Sequence, residues 1–247
     1  MGRLLKMVAI SGLLLGCFVT NAPAVTARGY QEVDTSDVRR MMQNEDVLVV
    51  FPLSPIEFNN LHISGSVNIP MARLARELPR DKSRKIIFYC LGVKCVASWR
   101  AAEKAIELGY RNVFAYREGL PAWVRAGYPT EIVEKLPVVA VEKISTGELV
   151  GMLATEDMIL VDVNFEDDAH AFYIDHPKRV HIPIDNLDSS LDLLPKNKTL
   201  VLVCLKGKRA PTACRFLKGQ GYERVFVLEG GVQKWILEGR PVKQVSS

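Results

Sequence analysis

The cysteines that close apolar runs are the residues with the most chemistry to offer. Cys204 ends Val201-Leu202-Val203, and Leu205, Lys206, Gly207, Lys208 and Arg209 follow it before a helical stretch begins at Ala210. A short loop leading from a strand into a helix N-terminus turns backbone N–H groups inward and forms a positive concavity that stabilises a thiolate and binds anions. Lys206, Lys208 and Arg209 add formal positive charge, which is expected to lower the cysteine pKa further and to attract an anionic donor. Cys204 and Arg209 are therefore the candidate catalytic pair, with Leu205, Lys206, Gly207 and Lys208 lining the donor site. The plain alternative is a structural cysteine that ends a buried strand beside a solvated basic turn.

An earlier loop, Cys90-Leu91-Gly92-Val93-Lys94-Cys95, begins in the same way but carries Cys95 where the other carries Arg209. A thiol at that position does not hold an oxyanion as a guanidinium does. It is suited instead to attack a persulfide or to pair with Cys90 as a reversible disulfide. Bridging needs Cα atoms within about 7 Å, so the pairing requires a loop that folds back on itself. Cys90, Lys94 and Cys95 form a possible second site, set against an inert domain whose thiols are incidental.

The elements that must hold these loops occur twice. Gly109-Tyr110 recurs as Gly221-Tyr222 at an offset of 112, and Val113, Gly119, Trp123, Gly127 and Pro129 recur at the same offset as Val225, Gly231, Trp235, Gly239 and Pro241. In the first copy Val47 to Phe51, Lys85 to Tyr89 and Asn112 to Tyr116 read as strands and Ala97 to Leu108 as a helix. Their counterparts are Met158 to Val163, Thr199 to Val203, Arg224 to Leu228 and the helix Ala210 to Gly219. Continuous apolar strands alternating with helices predict an α/β fold, two parallel sheets each covered by helices on both faces. The charged stretch ending at Pro137 divides a first domain at residues 28–131 from a second at 138–247, with residues 132–137 as linker. Trp123 and Trp235 read as core anchors, His62 as a structural histidine at a turn, and Cys214 as a small buried hydrophobe.

Composition excludes several classes. The net charge of +4 falls to about +2 once the basic N-terminus is set aside, too little for nucleic acid. The five cysteines lack CxxC pairs and neighbouring histidines, so neither a metal nor a cofactor is expected. Residues 1–27 carry Arg3 and Lys6, the apolar run Met7 to Val19, and a small-residue stretch, which together read as an export leader. Two forms of it stand: a secretory signal cut after Ala24 or Ala27, or a lipoprotein leader in which Cys17 of Leu14-Leu15-Gly16-Cys17 is lipidated. Either puts the protein in the periplasm or on a membrane through that anchor alone. Oligomeric state is not legible.

Taken together, Cys204, Gly207, Arg209, Gly221-Tyr222, Gly230-Gly231 and Trp235 resemble the rhodanese (thiosulfate sulfurtransferase) family, read as strand, Cys-x-x-Gly-x-Arg, helix, Gly-aromatic, strand, Gly-Gly and Trp. Upstream, Leu160-Val161-Asp162-Val163 resembles the family's strand ending in Asp-Val, with Asn164 where arginine is usual, and His181-Ile182-Pro183 resembles its Asn-Ile-Pro. The first copy matches in Glu57-Phe58, His62-Ile63, Asn68-Ile69-Pro70 and Trp123, but Phe51 replaces the usual aspartate, and Cys90 lies 19 residues before Gly109 where Cys204 lies 17 before Gly221. The resemblance implies two tandem rhodanese-like domains and a sulfurtransferase in which Cys204 carries sulfane sulfur as a persulfide from a small anionic, thiosulfate-like donor to a thiol or cyanide-like acceptor. A non-catalytic binding or thiol-redox module of the same fold is the rival reading.

Overall fold

The computed structural model describes residues 29–154, 157–165 and 172–244; the leader, Cys17 included, lies outside them. Two five-stranded parallel sheets dominate it. The first is built from β1 (Gln31–Glu32), β2 (Val47–Phe51), β4 (Val67–Asn68), β5 (Lys85–Tyr89) and β6 (Val113–Tyr116), in the order β1-β6-β5-β2-β4. The second uses β8 (Glu142–Ile144), β9 (Met158–Asp162), β10 (Arg179–His181), β11 (Thr199–Val203) and β12 (Val225–Leu228), in the order β10-β9-β11-β12-β8. Strand for strand the orders are the same, as a duplication requires. A short antiparallel pair, β3 (His62–Ile63) with β7 (Thr130–Glu131), closes the first domain.

The central strands β5 and β11 are buried on both faces, which is why they read as unbroken apolar runs. Leu200, Leu202 and Cys204 pack into one core layer, while Val201 and Val203 pack into the layer on the opposite face. The period of two in a strand thus aims the Cys204 side chain at the helix Ala210–Gly219, whose Ala210, Ala213, Cys214 and Leu217 share its layer. The expected anchors hold their places: Trp123 and Trp235 are buried and donate through Nε1 to the carbonyls of Pro129 and Pro241, each at 2.8 Å. His62 is buried, stacks on Phe58 and bonds the Phe58 carbonyl through Nδ1 at 2.9 Å. The two extra residues of the first copy are shared between loop and helix. Ala97 starts its helix one residue further from Cys90 than Ala210 is from Cys204, and that helix runs 11 residues against 10.

The two domains pack through the helix Pro55–Asn60 of the first, which lies against the 3₁₀ segment Ile184–Ser189 and the helix Ala210–Gly219 of the second. Ile56 enters the second domain's core layer, and Arg73 donates to the Asp185 carbonyl at 3.0 Å and to Asn186 Oδ1 at 2.8 Å. The same packing encloses two carboxyls. Glu57 closes a capping box with Ser54, and burial pushes its carboxyl up against the opposing pull of Ser54 and Arg209. Asp185 is pushed up to about 7: burial first, then repulsion by Glu57, outweigh the attraction of Arg209 and Arg73.

Each cysteine loop is seated by a glycine that begins the last helix of its domain. Gly231 has φ +64°, and a Cβ there would lie 1.9 Å from the Cys204 carbonyl oxygen; at Gly119 the corresponding distance to the Cys90 carbonyl is 2.2 Å. Backbone meets backbone at both points, so no side chain can give way. Gly231→Ala is expected to destabilise the chain by at least about 2 kcal/mol, lowering Tm by roughly 4–8 °C. Thermal unfolding checks this, and an unchanged Tm would show that the loop is not held by this contact.

Asp185 gives a second test. Its folded value of about 7 lies above the ordinary 3.8, so the stability it contributes is full below the lower value and is lost as pH rises through the upper one. Asp185→Asn cannot ionise and escapes that loss. Its Tm relative to the parent should therefore be higher at about pH 8 than at about pH 5; a difference independent of pH would mean that the carboxyl does not titrate in this window.

Candidate active site

Cys204 sits at the end of β11 with its side chain almost fully buried. Two backbone N–H groups point at its sulfur: Arg209 donates to Sγ at 3.3 Å and Ala210 at 3.4 Å. These are the unpaired amides at the start of the helix Ala210–Gly219, which has proline in its first turn where a missing N–H costs nothing. The loop's other face is fixed by carbonyls, since Val232 N–H donates to Cys204 O at 3.1 Å and Gln233 N–H to Leu205 O at 2.9 Å. With the carbonyls of Cys204 and Leu205 turned toward the helix Gly231–Leu237 and the amides of Arg209 and Ala210 toward the sulfur, the loop is a one-sided donor cradle.

The charged side chains divide by depth. Lys206 and Lys208 are exposed, whereas Arg209 is half-buried, its guanidinium 3.7 Å from the centroid of the Phe165 ring. Glu57 and Asp185 lie within electrostatic reach of Arg209, so the interdomain cleft adds two buried carboxyls to one side of the loop. Phe165 and the first domain's Glu57 meet Arg209, so it is less open to solvent than the two lysines. The role of Glu57 as a helix cap was visible in Ser54-x-x-Glu57, but its approach to Arg209 depends on how the domains dock, which no local pattern encodes.

Asn164 does different work from the arginine usual at its position. Its Oδ1 accepts the Leu205 N–H at 2.6 Å, tying the loop to the neighbouring strand end. Asp162 on β9 is fully buried and is met by Arg179 from β10, with Nε at 3.0 Å and Nη2 at 2.8 Å from Oδ2. The guanidinium that meets this aspartate thus comes from the next strand.

The first domain's loop inverts the polarity. Cys90 is fully buried, and its sulfur meets three oxygens, the Cys95 carbonyl at 3.5 Å, Ser98 Oγ at 3.9 Å and the Gly92 carbonyl at 4.0 Å, beside the Ser98 amide. A turn, Cys95 N–H to Gly92 O at 2.8 Å, folds the loop back and brings the thiols of Cys90 and Cys95 into hydrogen-bond contact. Hydrogen bonding from Cys90 above all, with help from the Ala97 and Leu91 amides, holds Cys95 below the ordinary thiol value against burial and Glu57. Giving its proton to that bond, and burial, push Cys90 up. Both are free thiols, and Lys94 is exposed without facing either sulfur through any bond among the described residues. Cys214 is buried, and burial raises its thiol. Among the described residues there is no cluster of three or more His, Cys, Asp or Glu side chains that would hold a metal ion, and no helix long and apolar enough to cross a membrane.

Comparison with known proteins agrees with the duplicated geometry. A sulfurtransferase from Allochromatium vinosum is 33% identical over 88 residues, 36% of this chain and 80% of its own length. The thiosulfate sulfurtransferase GlpE of Pseudomonas savastanoi is 32% identical over 84 residues, 34% of this chain and 76% of its own. A thiosulfate sulfurtransferase structure from Pseudomonas aeruginosa aligns over 87% of this chain and 44% of its own at 19% identity, with a TM-score of 0.41. The family model for the rhodanese-like domain matches twice, at residues 34–126 and 145–238. The chain is therefore a member of the rhodanese family with two tandem rhodanese-like domains.

Proposed function

We propose that the second domain is a sulfurtransferase in which Cys204 carries sulfane sulfur as a persulfide. The observation that carries this reading is the convergence of the Arg209 and Ala210 amides on the Cys204 sulfur, beside three cationic side chains. Relatives named as sulfurtransferases, and as thiosulfate sulfurtransferases, support it at modest identity.

With thiosulfate as donor, the Cys204 thiolate attacks the outer sulfur, the sulfur–sulfur bond of the donor breaks, and sulfite leaves with its electron pair. Three negative charges enter the step and three leave it, which is the reason for a basic loop. The amides keep their dipoles directed at the sulfur throughout and need no reorganisation. A thiol or cyanide-like acceptor then attacks the outer sulfur of the persulfide and Cys204 leaves as thiolate. Leu205 and Gly207 shape the floor of the donor site, and Lys206 and Lys208, being exposed, draw the anion in from solution. The leader residues 1–27 support a place outside the cytoplasmic membrane.

Cys204→Ser is expected to abolish thiosulfate:cyanide sulfurtransfer, because a hydroxyl neither ionises near neutral pH nor holds a transferable sulfur. Arg209→Ala removes a charge-assisted interaction of about 1.5–3 kcal/mol and is expected to lower kcat/KM for thiosulfate by roughly ten- to a hundredfold. Steady-state assays on the purified full chain check both. Loss of turnover in Cys90→Ser with retention in Cys204→Ser would move the enzyme to the first domain. N-terminal mass analysis of protein from its own host checks the leader, with an intact Met1 to Ala27 segment contradicting export.

A further inference from the structure

The inverted polarity of the first loop leaves one sulfur suited to attack and the other suited to follow it. Cys95 is partly exposed and Cys90 is fully buried, so a molecule in solution reaches Cys95 alone. Cys90 stands against oxygen acceptors and in hydrogen-bond contact with Cys95, which keeps it as a thiol directly behind the other sulfur. The rim is also unlike that of the second loop. Leu91, Val93 and Val96 are 45%, 67% and 44% exposed around Cys95, with exposed Lys94 at the place of Lys208 and Gly92 at the place of Lys206. A rim of three exposed apolar side chains and one lysine, with no arginine at the position of Arg209, binds a small dianion less well than the second loop and suits a sulfur donor with an uncharged or apolar substituent.

We propose that this loop is a second sulfur-handling site, at which Cys95 takes the outer sulfur of an alkyl persulfide and Cys90 resolves the product to a disulfide with release of sulfide. In the first step the Cys95 thiolate attacks the outer sulfur of R–S–SH, a Cys95 S–S bond forms, the donor's S–S bond breaks and R–S⁻ leaves. In the second, Cys90 attacks the Cys95 sulfur, its proton passes to the departing HS⁻, and a Cys90–Cys95 disulfide remains with one hydrogen sulfide. Two cysteine sulfurs are oxidised and one sulfane sulfur is reduced, so the electrons balance. A dithiol reductant of the thiol–disulfide exchange class resets the site. This site stands apart from Cys204 and does not require the second domain's chemistry.

The experiment uses the full chain carrying Cys204→Ser, so that no sulfur can enter through the second domain, with an alkyl persulfide as the probe. The expected result is one equivalent of sulfide released and a Cys90–Cys95 disulfide found by peptide mapping under non-reducing conditions. Adding Cys95→Ser should abolish both. Adding Cys90→Ser, or Cys90→Ala should the serine perturb the buried position, should stop sulfide release and trap one extra sulfur on Cys95. Sulfide release that survives Cys95→Ser, a trapped sulfur on Cys90 instead of Cys95, or no reaction of the folded Cys204→Ser chain would each overturn the proposal. Thiosulfate turnover by the parent chain, measured in parallel, reports on the Cys204 reading alone, so failure of one is distinguishable from failure of the other.

Discussion

Everything at the second domain's site depends on the direction in which one short loop turns its backbone. Between the end of β11 and the helix Ala210–Gly219 the chain must send its carbonyls outward, into the amides of Val232 and Gln233, so that the amides of Arg209 and Ala210 remain free to face the Cys204 sulfur. That arrangement survives only because Gly231 lets the helix start press against the Cys204 carbonyl where any Cβ would collide with it. Side-chain charge then acts on a cradle already formed. Lys206 and Lys208 supply long-range attraction, screened by salt, while the amide dipoles and the half-buried Arg209 act at contact distance, where the low dielectric makes them stronger.

The first domain shows what happens when the same frame receives a different loop. Gly119 takes the place of Gly231 against the Cys90 carbonyl, yet with one extra residue before the helix and Cys95 in place of arginine, two carbonyls meet the strand-end sulfur beside the Ser98 amide. The hydrogen bond between the two thiols holds Cys95 below the ordinary thiol value and pushes Cys90 above it. Duplication therefore preserved the scaffold and changed the polar groups that meet the strand-end sulfur. The interdomain packing links the two, because Glu57 caps a helix of the first domain while facing Arg209 of the second and Cys95 of its own.

Most of the fold was legible because strong periodic signals coincided. The repeat at an offset of 112 gave the duplication, β5 and β11 read as buried strands because both faces are covered, and the helix Ala210–Gly219 was bounded by Arg209 and a glycine. The strand, loop and helix around Cys204 were legible for the same reason, since an apolar run, a glycine-containing turn and a helical stretch follow one another there. What escaped was long-range. Arg179, 17 residues beyond Asp162, reaches back from the next strand to pair with it, and Asp185 becomes a buried acid only when the helix Pro55–Asn60 docks over it. No local pattern distinguishes Asp185 from a surface aspartate in a polar turn. The carbonyl-lined setting of Cys90 was equally hidden, because residue types do not reveal which way a peptide plane is turned.

The account rests on Cys204 being the sulfur that holds the transferred atom. Intact-mass measurement of the purified chain after thiosulfate treatment, followed by non-reducing peptide mapping, reads that directly. The account predicts a gain of one sulfur atom per chain, located on the peptide that carries Cys204 and removed by cyanide. No gain in mass, or a gain located on Cys90 or Cys214 with Cys204 unmodified, would contradict it.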